Sequence, residues 1–463
     1  MQGFARPRLI LCLAALSAAS LAVSCSSSES GTLQLVTGQE TDTFTQAPVP
    51  VSLEVDSIDS SGTATQLATA SLPTSQIDLG SFDPTAAGIV QVTAFDPLHP
   101  RILAGQSVVV LFGDIAGIAL PVFIQRVGEF ARLPEPPSDS RPSPVVGVIS
   151  GRYVVVTGGS DPTLATTTTI YDLANMTPIS PSVTLPATPT SMAFDTNSSG
   201  DSIGWLINGA GVSQYDFSNG SSASVILPTG PSYLDVAGGA TVSAPDGSQY
   251  IVGATRTTGA PTSAVLALDS SGNPSWLTLS EPRLGAAAAW VPSVGLVVIG
   301  GNGMATGVDA HGVEVITVAT ASTGAALDYP PDPSMGSGAA ALGGSQVLVG
   351  GGTLPNGSSA GVRVIDLSCI AQCAPTAWPS LDIPIGSAQA FAIDATSAVV
   401  VGSELPAGAA PGLTHVYKVT SAVATEVPTK VPHHFAAAVA SPIGVVGSVL
   451  LLGGAPAIES LGW

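Results

Sequence analysis

The sequence predicts an all-β protein: a seven-bladed β-propeller over residues 122–463, with six blades as the alternative, preceded by a small β-sandwich over residues 32–121. Three observations predict it. Short β-branched runs ending in glycine recur at a near-constant interval from residue 158 to residue 454. No helical period of 3.6 joins these runs, and they are separated by Gly, Pro, Ser and Thr clusters. Ahead of the periodic region, apolar and polar residues alternate in short stretches, the signature of half-buried strands.

The period is read from the glycines. Gly158-Gly159, Gly300-Gly301, Gly350-Gly351 and Gly453-Gly454 close the runs Val154–Thr157, Leu296–Ile299, Val347–Val349 and Leu450–Leu452. Degenerate copies end at Asn208-Gly209, Gly253-Ala254 and Gly402-Ser403, so successive copies start 45 to 52 residues apart. Each copy has the same grammar. A run of tiny residues comes first, as in Gly285–Ala289, Gly336–Ala341 and Phe435–Ala438. The glycine-terminated run is second. A third run often ends in Asp, as in Tyr171-Asp172, Tyr215-Asp216, Leu268-Asp269 and Ile365-Asp366, where the carboxylate is expected to cap the following loop. A fourth ends at Pro186, Pro228 or Pro384. Four short strands per ~45–50 residues describe a propeller blade. Tiny residues suit the innermost strand, where strands converge, and glycine suits a sharp turn because it tolerates positive φ.

The glycine doublet followed by a Tyr-Asp strand, with Trp276 and Trp378 in fourth strands, resembles the kelch repeat over about residues 123–463. The last copy ends nine residues after Gly454, too soon for two further strands. Residues 122–133, an orphan run ending at Pro134, are therefore expected to complete the seventh blade and close the ring. The alternating stretches Val51–Val55, Ile89–Thr93 and Ser107–Phe112 suggest a sandwich similar to an immunoglobulin or fibronectin module.

The first thirty residues bear on location. Arg6 and Arg8 precede the apolar run Leu9–Val23, too short to span a bilayer, so residues 1–24 read as a secretory signal peptide. Leu21-Ala22-Val23-Ser24-Cys25 resembles the lipobox of bacterial lipoproteins, which implies cleavage before Cys25 and lipidation of that residue; an ordinary secretory signal is the alternative. Residues 25–31 then read as a flexible lipid tether, and Ser26 after the cysteine implies the outer membrane by resemblance to enterobacterial sorting.

Composition narrows the partners. The 463 residues carry 32 Asp and Glu against 12 Lys and Arg, a net charge of −20, with 45% hydrophobic residues. A core can form, and a phosphate backbone would be repelled, which excludes nucleic acid as partner. With Cys12 in the signal and Cys25 lipidated, Cys369 and Cys373 remain; a disulfide is expected in an oxidising compartment, with free thiols or a metal site as alternatives.

Catalytic motifs are mostly missing. There is no phosphate loop, no His-Glu-x-x-His helix and no Gly-x-Ser-x-Gly elbow. A copper oxidase on a kelch ring, as in the galactose oxidase family, needs Tyr and His ligands; the adjacent His433 and His434 would point to opposite strand faces, so a capping or surface role is expected. The loop Asp195–Asp201 has calcium-like oxygen spacing and Asp269–Trp276 resembles the Asp-box of sialidases, but hairpin turns account for both. The expectation is a non-enzymatic envelope lipoprotein without cofactor whose propeller binds a protein or glycan. The alternative is a kelch oxidase or glycoside-active enzyme.

Overall fold

The computed structural model describes residues 29–194, 203–208, 211–217, 219–253, 260–301, 311–318, 322–405 and 412–463. Cys25, the expected signal peptide and the Asp195–Asp201 loop lie outside them. Apart from two short 3-10 turns, the described elements are all strands. No helix among them is long and apolar enough to cross a membrane.

From residue 130 onward the chain folds into seven four-stranded antiparallel sheets among the described residues. Sheet 1 is Pro144–Ile149, Tyr153–Gly158, Thr167–Asp172 and Thr177–Thr184. Sheets 2 to 6 repeat that up-and-down order, with first strands Pro189–Phe194, Ala240–Ser243, Ala287–Val291, Gly338–Gly343 and Ile385–Asp394. In sheet 7, Ala437–Ala440, Val449–Leu452 and Glu459–Leu461 come from the C-terminus, while the fourth strand, Phe130–Arg132, comes from before sheet 1. Phe130 stands opposite Leu461 and Arg132 opposite Glu459. First strands touch their neighbours in sequence, and the first strand of sheet 7 touches that of sheet 1. The fold is a β-propeller.

Physical causes follow the grammar. Second strands are runs of Val, Leu and Ile buried on both faces, because a sheet lies on either side. First strands use alanine and glycine where space runs out: a Cβ on Gly338 would stand 2.5 Å from the Gln389 carbonyl carbon in the next sheet. The doublets turn the chain where two sheets converge. Gly158, Gly159, Gly300, Gly301, Gly453 and Gly454 all have positive φ. The N–H of Gly301 donates to Ser334 of the next sheet at 2.8 Å, and that of Gly454 donates across the seam to Arg141 at 2.9 Å.

One doublet differs from expectation. In Gly350-Gly351-Gly352 the left-handed pair is Gly351 (φ 67°) and Gly352 (φ 89°), whereas Gly350 ends the second strand. Three glycines in a row leave the register open, and contact with the next sheet decides it: a Cβ on Gly350 would lie 2.8 Å from Val400.

A Cβ on Gly454 would fall 2.2 Å from the His434 carbonyl oxygen, at a φ of 68°. Gly454→Ala therefore combines left-handed strain of ~1–2 kcal/mol with overlap worth ~1–3 kcal/mol. At Gly357 (φ 83°) nothing lies within 4 Å, so Gly357→Ala carries the strain alone. Urea denaturation is expected to rank Gly454→Ala well below Gly357→Ala; equal losses would show that the close approach does not matter.

Ahead of the propeller, Gln76–Phe82, Glu29–Val36 and Ala119–Phe123 form a three-stranded sheet. A six-stranded sheet orders Ala64–Ser71, Ser52–Ile58, Ala87–Phe95, Leu103–Gln106 and Gln125–Arg126, with Val110–Leu111 beside Ala87–Phe95. Leu33, Leu53, Val55, Leu79, Val92 and Leu103 meet in one core. Two expected boundaries are corrected. Strand pairing begins at Glu29, so residues 29–31 are strand and not tether: Ser30 lies opposite Ser81. The segment 122–133 is divided, because Val122 and Phe123 pair with Leu35 and Val36 and Gln125 pairs with Ala104, leaving Phe130–Arg132 for sheet 7. The dividing turn is at Gly128 (φ 79°), a glycine inside what reads as a single apolar run.

The two parts share buried side chains. Val108 and Phe123 pack in one cluster with Val154, Tyr171, Ile443, Leu450 and Leu452, across sheets 1 and 7. Gln106 donates to Ile443 and Pro442, and the Arg132 side chain bonds Glu40 at 2.8 Å. The N-terminal part thus sits against the seam where the ring closes.

Candidate functional site

A cavity of about 930 Å³ opens at the end of the ring where the first strands begin. Segments leading into all seven sheets line it, among them Ser143, Thr188, Gly239, Ala286, Gly336 and Ser387. Its rim has a repeated backbone conformation. Ser143, Gly238, Gly285, Gly336 and Phe435 have positive φ just before their first strands, and Ser387 has it at a bulge near the start of Ile385–Asp394. Main-chain bonds stitch consecutive segments: Gly336 N–H to Gly285, Ala388 N–H to Gly336, and Ser143 N–H to Phe435 at 2.7 Å, the last joining the segments that lead into sheets 1 and 7. The wall therefore presents peptide groups, hydroxyls and small apolar side chains on a rigid frame.

Glu404 is the single carboxylate lining the cavity among the described residues, and no Lys, Arg or His lines it. Its position follows from the sixth repeat. Where four copies turn at Gly-Gly, this one reads Gly402-Ser403, and the second strand, Ser397–Glu404, runs on to pair Glu404 with Ile385. The lost turn carries an acid to the mouth. A smaller cavity of about 580 Å³ lies at the opposite strand ends beside Trp290, which stacks on Tyr250 at 5.6 Å.

Beneath the mouth lies a second repeated feature. The buried Arg141 donates to the Gly158 carbonyl at 3.2 Å, Arg283 to Gly300 at 2.9 Å, and His433 meets the Gly453 carbonyl at 2.7 Å. Each stands two residues before the left-handed residue and satisfies the carbonyl of the first doublet glycine, which would otherwise be a buried orphan acceptor. Acids accompany them: Asp139 with Arg141 at 2.6 Å, Glu314 with Arg283 at 3.4 Å, and Glu459 with His433 at 3.4 Å. Asp332 and Arg363 form a similar pair in sheet 5. Burial lowers the Arg283 guanidinium from its ordinary value, while Glu314 acts in the opposite sense. None of this was read from the sequence, although two Arg standing 17 residues before a doublet glycine, in a chain with 12 Lys and Arg, are a usable signal.

Of the residues singled out in sequence, Gly159 and the starts of the small-residue runs, Gly285, Gly336 and Phe435, line the mouth, whereas the other doublet glycines, the cysteines and the histidines do not. Cys369 and Cys373 form a disulfide in the loop after Val362–Asp366, where Gln372 and Cys373 donate to Asp328. Third-strand aspartates accept loop N–H groups: Asp172 from Ala174, Asp269 from Ser271 and Asn273, and Asp366 from Ser368. The Asp269–Trp276 stretch is a hairpin, with the Trp276 indole donating to Pro228. His433 caps a carbonyl, as described; the N–H of His434 donates to Gly454. Among the described residues no three His, Cys, Asp or Glu assemble as metal ligands.

Asp139 and Asp172 give the ring an acid limit. Burial pushes both carboxyls up, but hydrogen bonds from Arg141 and Thr169, and from Arg152, Ala174 and Asn175, outweigh it and leave both below the ordinary value of 3.8. A depressed carboxyl stabilises the fold above its unfolded-state value and loses that contribution as pH falls through the folded-state value. Stability is therefore expected to be flat from pH 7 to about 4 with respect to these groups, and to fall below it. Thermal melts between pH 7 and 2.5 check this, and Asp172→Asn should shallow the acid limb; an unchanged limb would remove Asp172 from the account.

No family model and no curated protein matches the chain. Among solved structures, it is similar to YCF48 from Cyanidioschyzon merolae at 10% identity and a TM-score of 0.42, covering 72% of this chain and 98% of that one. It is also similar to the Hadza microbial sialidase Hz136 at 11% identity and a TM-score of 0.32, covering 94% and 92% respectively. At these values neither likeness adds to what the sheets themselves define.

Proposed function

We propose that the chain is a non-enzymatic cell-envelope lipoprotein, anchored through Cys25 in the outer membrane. In this reading the seven sheets are the blades of a seven-bladed, kelch-like propeller, and an immunoglobulin- or fibronectin-like sandwich braces its seam. The propeller binds a protein or glycan at its central mouth. One observation carries the binding role: a cavity of about 930 Å³ framed by peptide groups and hydroxyls from all seven sheets, with a single carboxylate among the described residues. Such a concave, pre-formed wall with few polar anchors suits recognition. A glycoside-active enzyme, the alternative, ordinarily needs two carboxylates flanking the bond it cleaves.

Pull-down from envelope extracts and glycan-array screening with residues 29–463 test the reading. Capture that is abolished by Thr188→Trp, which fills the mouth, supports it. Turnover of a glycoside or alcohol by the purified protein overturns it in favour of the enzyme. Mass spectrometry of the processed chain tests the anchor separately, since acylated Cys25 is expected at its N-terminus.

A further inference from the structure

Several buried acids of this protein are paired, and Glu404, at the mouth, is not. Asp139, Glu314, Asp332 and Glu459 each face a cationic or imidazole group within 3.4 Å. Glu404 is half-buried in the cavity wall, and its carboxylate has no hydrogen bond or ion pair to a described residue; its main-chain N–H donates to the Leu413 carbonyl. A carboxylate partly withdrawn from water favours a donor, and most strongly a cationic one. Among the described residues the cavity wall supplies no cationic donor, only hydroxyls and peptide groups. The overall charge of −20 also draws cations toward it.

The rest of the lining indicates what accompanies the charge. Ser143, Thr188, Ser387 and Ser403 line the cavity, and their hydroxyls make no side-chain bond to a described residue, whereas those of Ser160, Thr190, Ser337 and Thr353 are committed to carbonyls. Uncommitted hydroxyls both donate and accept, which matches a polyhydroxylated ligand better than an apolar or anionic one. We propose that the central mouth binds an amino sugar, with Glu404 holding its ammonium group and the rim hydroxyls holding the ring hydroxyls. This rests on the reading of the mouth as the binding face and specifies its ligand class.

The test uses residues 29–463 with two probes, the fully deacetylated glucosamine trimer and its N-acetylated counterpart, titrated by calorimetry at pH 6 and low salt. Wild type is expected to bind the deacetylated trimer at least tenfold more tightly. Glu404→Gln should bring the two trimers within about twofold of each other, with an unchanged circular dichroism spectrum, and Thr188→Trp should remove both interactions. Equal binding of the trimers by wild type, or a preference that survives Glu404→Gln, overturns the inference while leaving a glycan-binding mouth in place. Binding of an N-acetyl-lysine amide peptide in a Glu404-dependent manner, with neither trimer bound, overturns the sugar and assigns the mouth to a protein. Failure of both trimers and the peptide overturns the inference, and capture by the Thr188-sensitive pull-down then decides the broader reading independently.

Discussion

Arg283→Met is expected to destabilise the protein by about 3–5 kcal/mol, because it leaves the fully buried Glu314 carboxyl without its cationic partner. The side chains of Arg283 and Glu314 are both inaccessible to solvent, and Arg283 also donates to Gly300, Gly312 and His311. Glu314 accepts from the Ser280 N–H, so it keeps one donor when the arginine is gone. Removing both charges should cost less than the two single losses combined. In urea denaturation, Arg283→Met with Glu314→Met is expected to recover about 2 kcal/mol relative to the sum, the coupling typical of a contacting pair. Recovery will be incomplete, because carbonyls that the guanidinium satisfied remain buried. Additive losses would mean that Arg283 acts only as a carbonyl cap and that its charge is immaterial.

The second large effect belongs to the seam. Phe130→Ala is expected to cost about 3–5 kcal/mol, as deletion of a buried aromatic does. Phe130 packs with Val399, Val401, Val449, Leu451 and Leu461 and pairs through its backbone with Leu461. What sets it apart is location, since its strand joins residue 130 to the C-terminus across more than three hundred residues of chain. Loss of such a contact should open the ring locally before the rest unfolds. Hydrogen exchange at 449–461 is expected to accelerate about a hundredfold or more, given 1.4 kcal/mol per tenfold. Leu296→Ala, a comparable core deletion in sheet 4, should leave exchange at 449–461 nearly unchanged. Equal acceleration by both variants would show that the molecule unfolds as one unit and that the seam has no separate role.

Much of the architecture was legible because it repeats. A strand of alanines, a run of β-branched residues and a glycine pair each have a local physical cause, and seven copies average out the irregularities of any one. Irregular copies were the illegible ones. Nothing local distinguishes Gly350-Gly351 from Gly351-Gly352, and the choice is made by Val400 in the adjoining sheet. The same holds for Glu404. In the sequence it is one acid among 32, and only the overrun of its strand past Gly402 brings it to the cavity. Arg283 and Glu314 are separated by thirty-one residues, and their pairing depends on the register of two strands in different sheets.

By itself, then, the sequence determined the all-β class, the interval of the repeat and the use of glycine at its turns. These depend on short-range sterics and on the two-residue alternation of strands, which each segment carries within itself. Tertiary structure alone decided where the N-terminal sheets end and the closing strand begins, which glycines turn left-handed in the fifth sheet, which acids are neutralised and which is left open at the mouth. Those outcomes depend on contacts between segments far apart in the chain, and a contact of that kind leaves no local trace in composition or spacing.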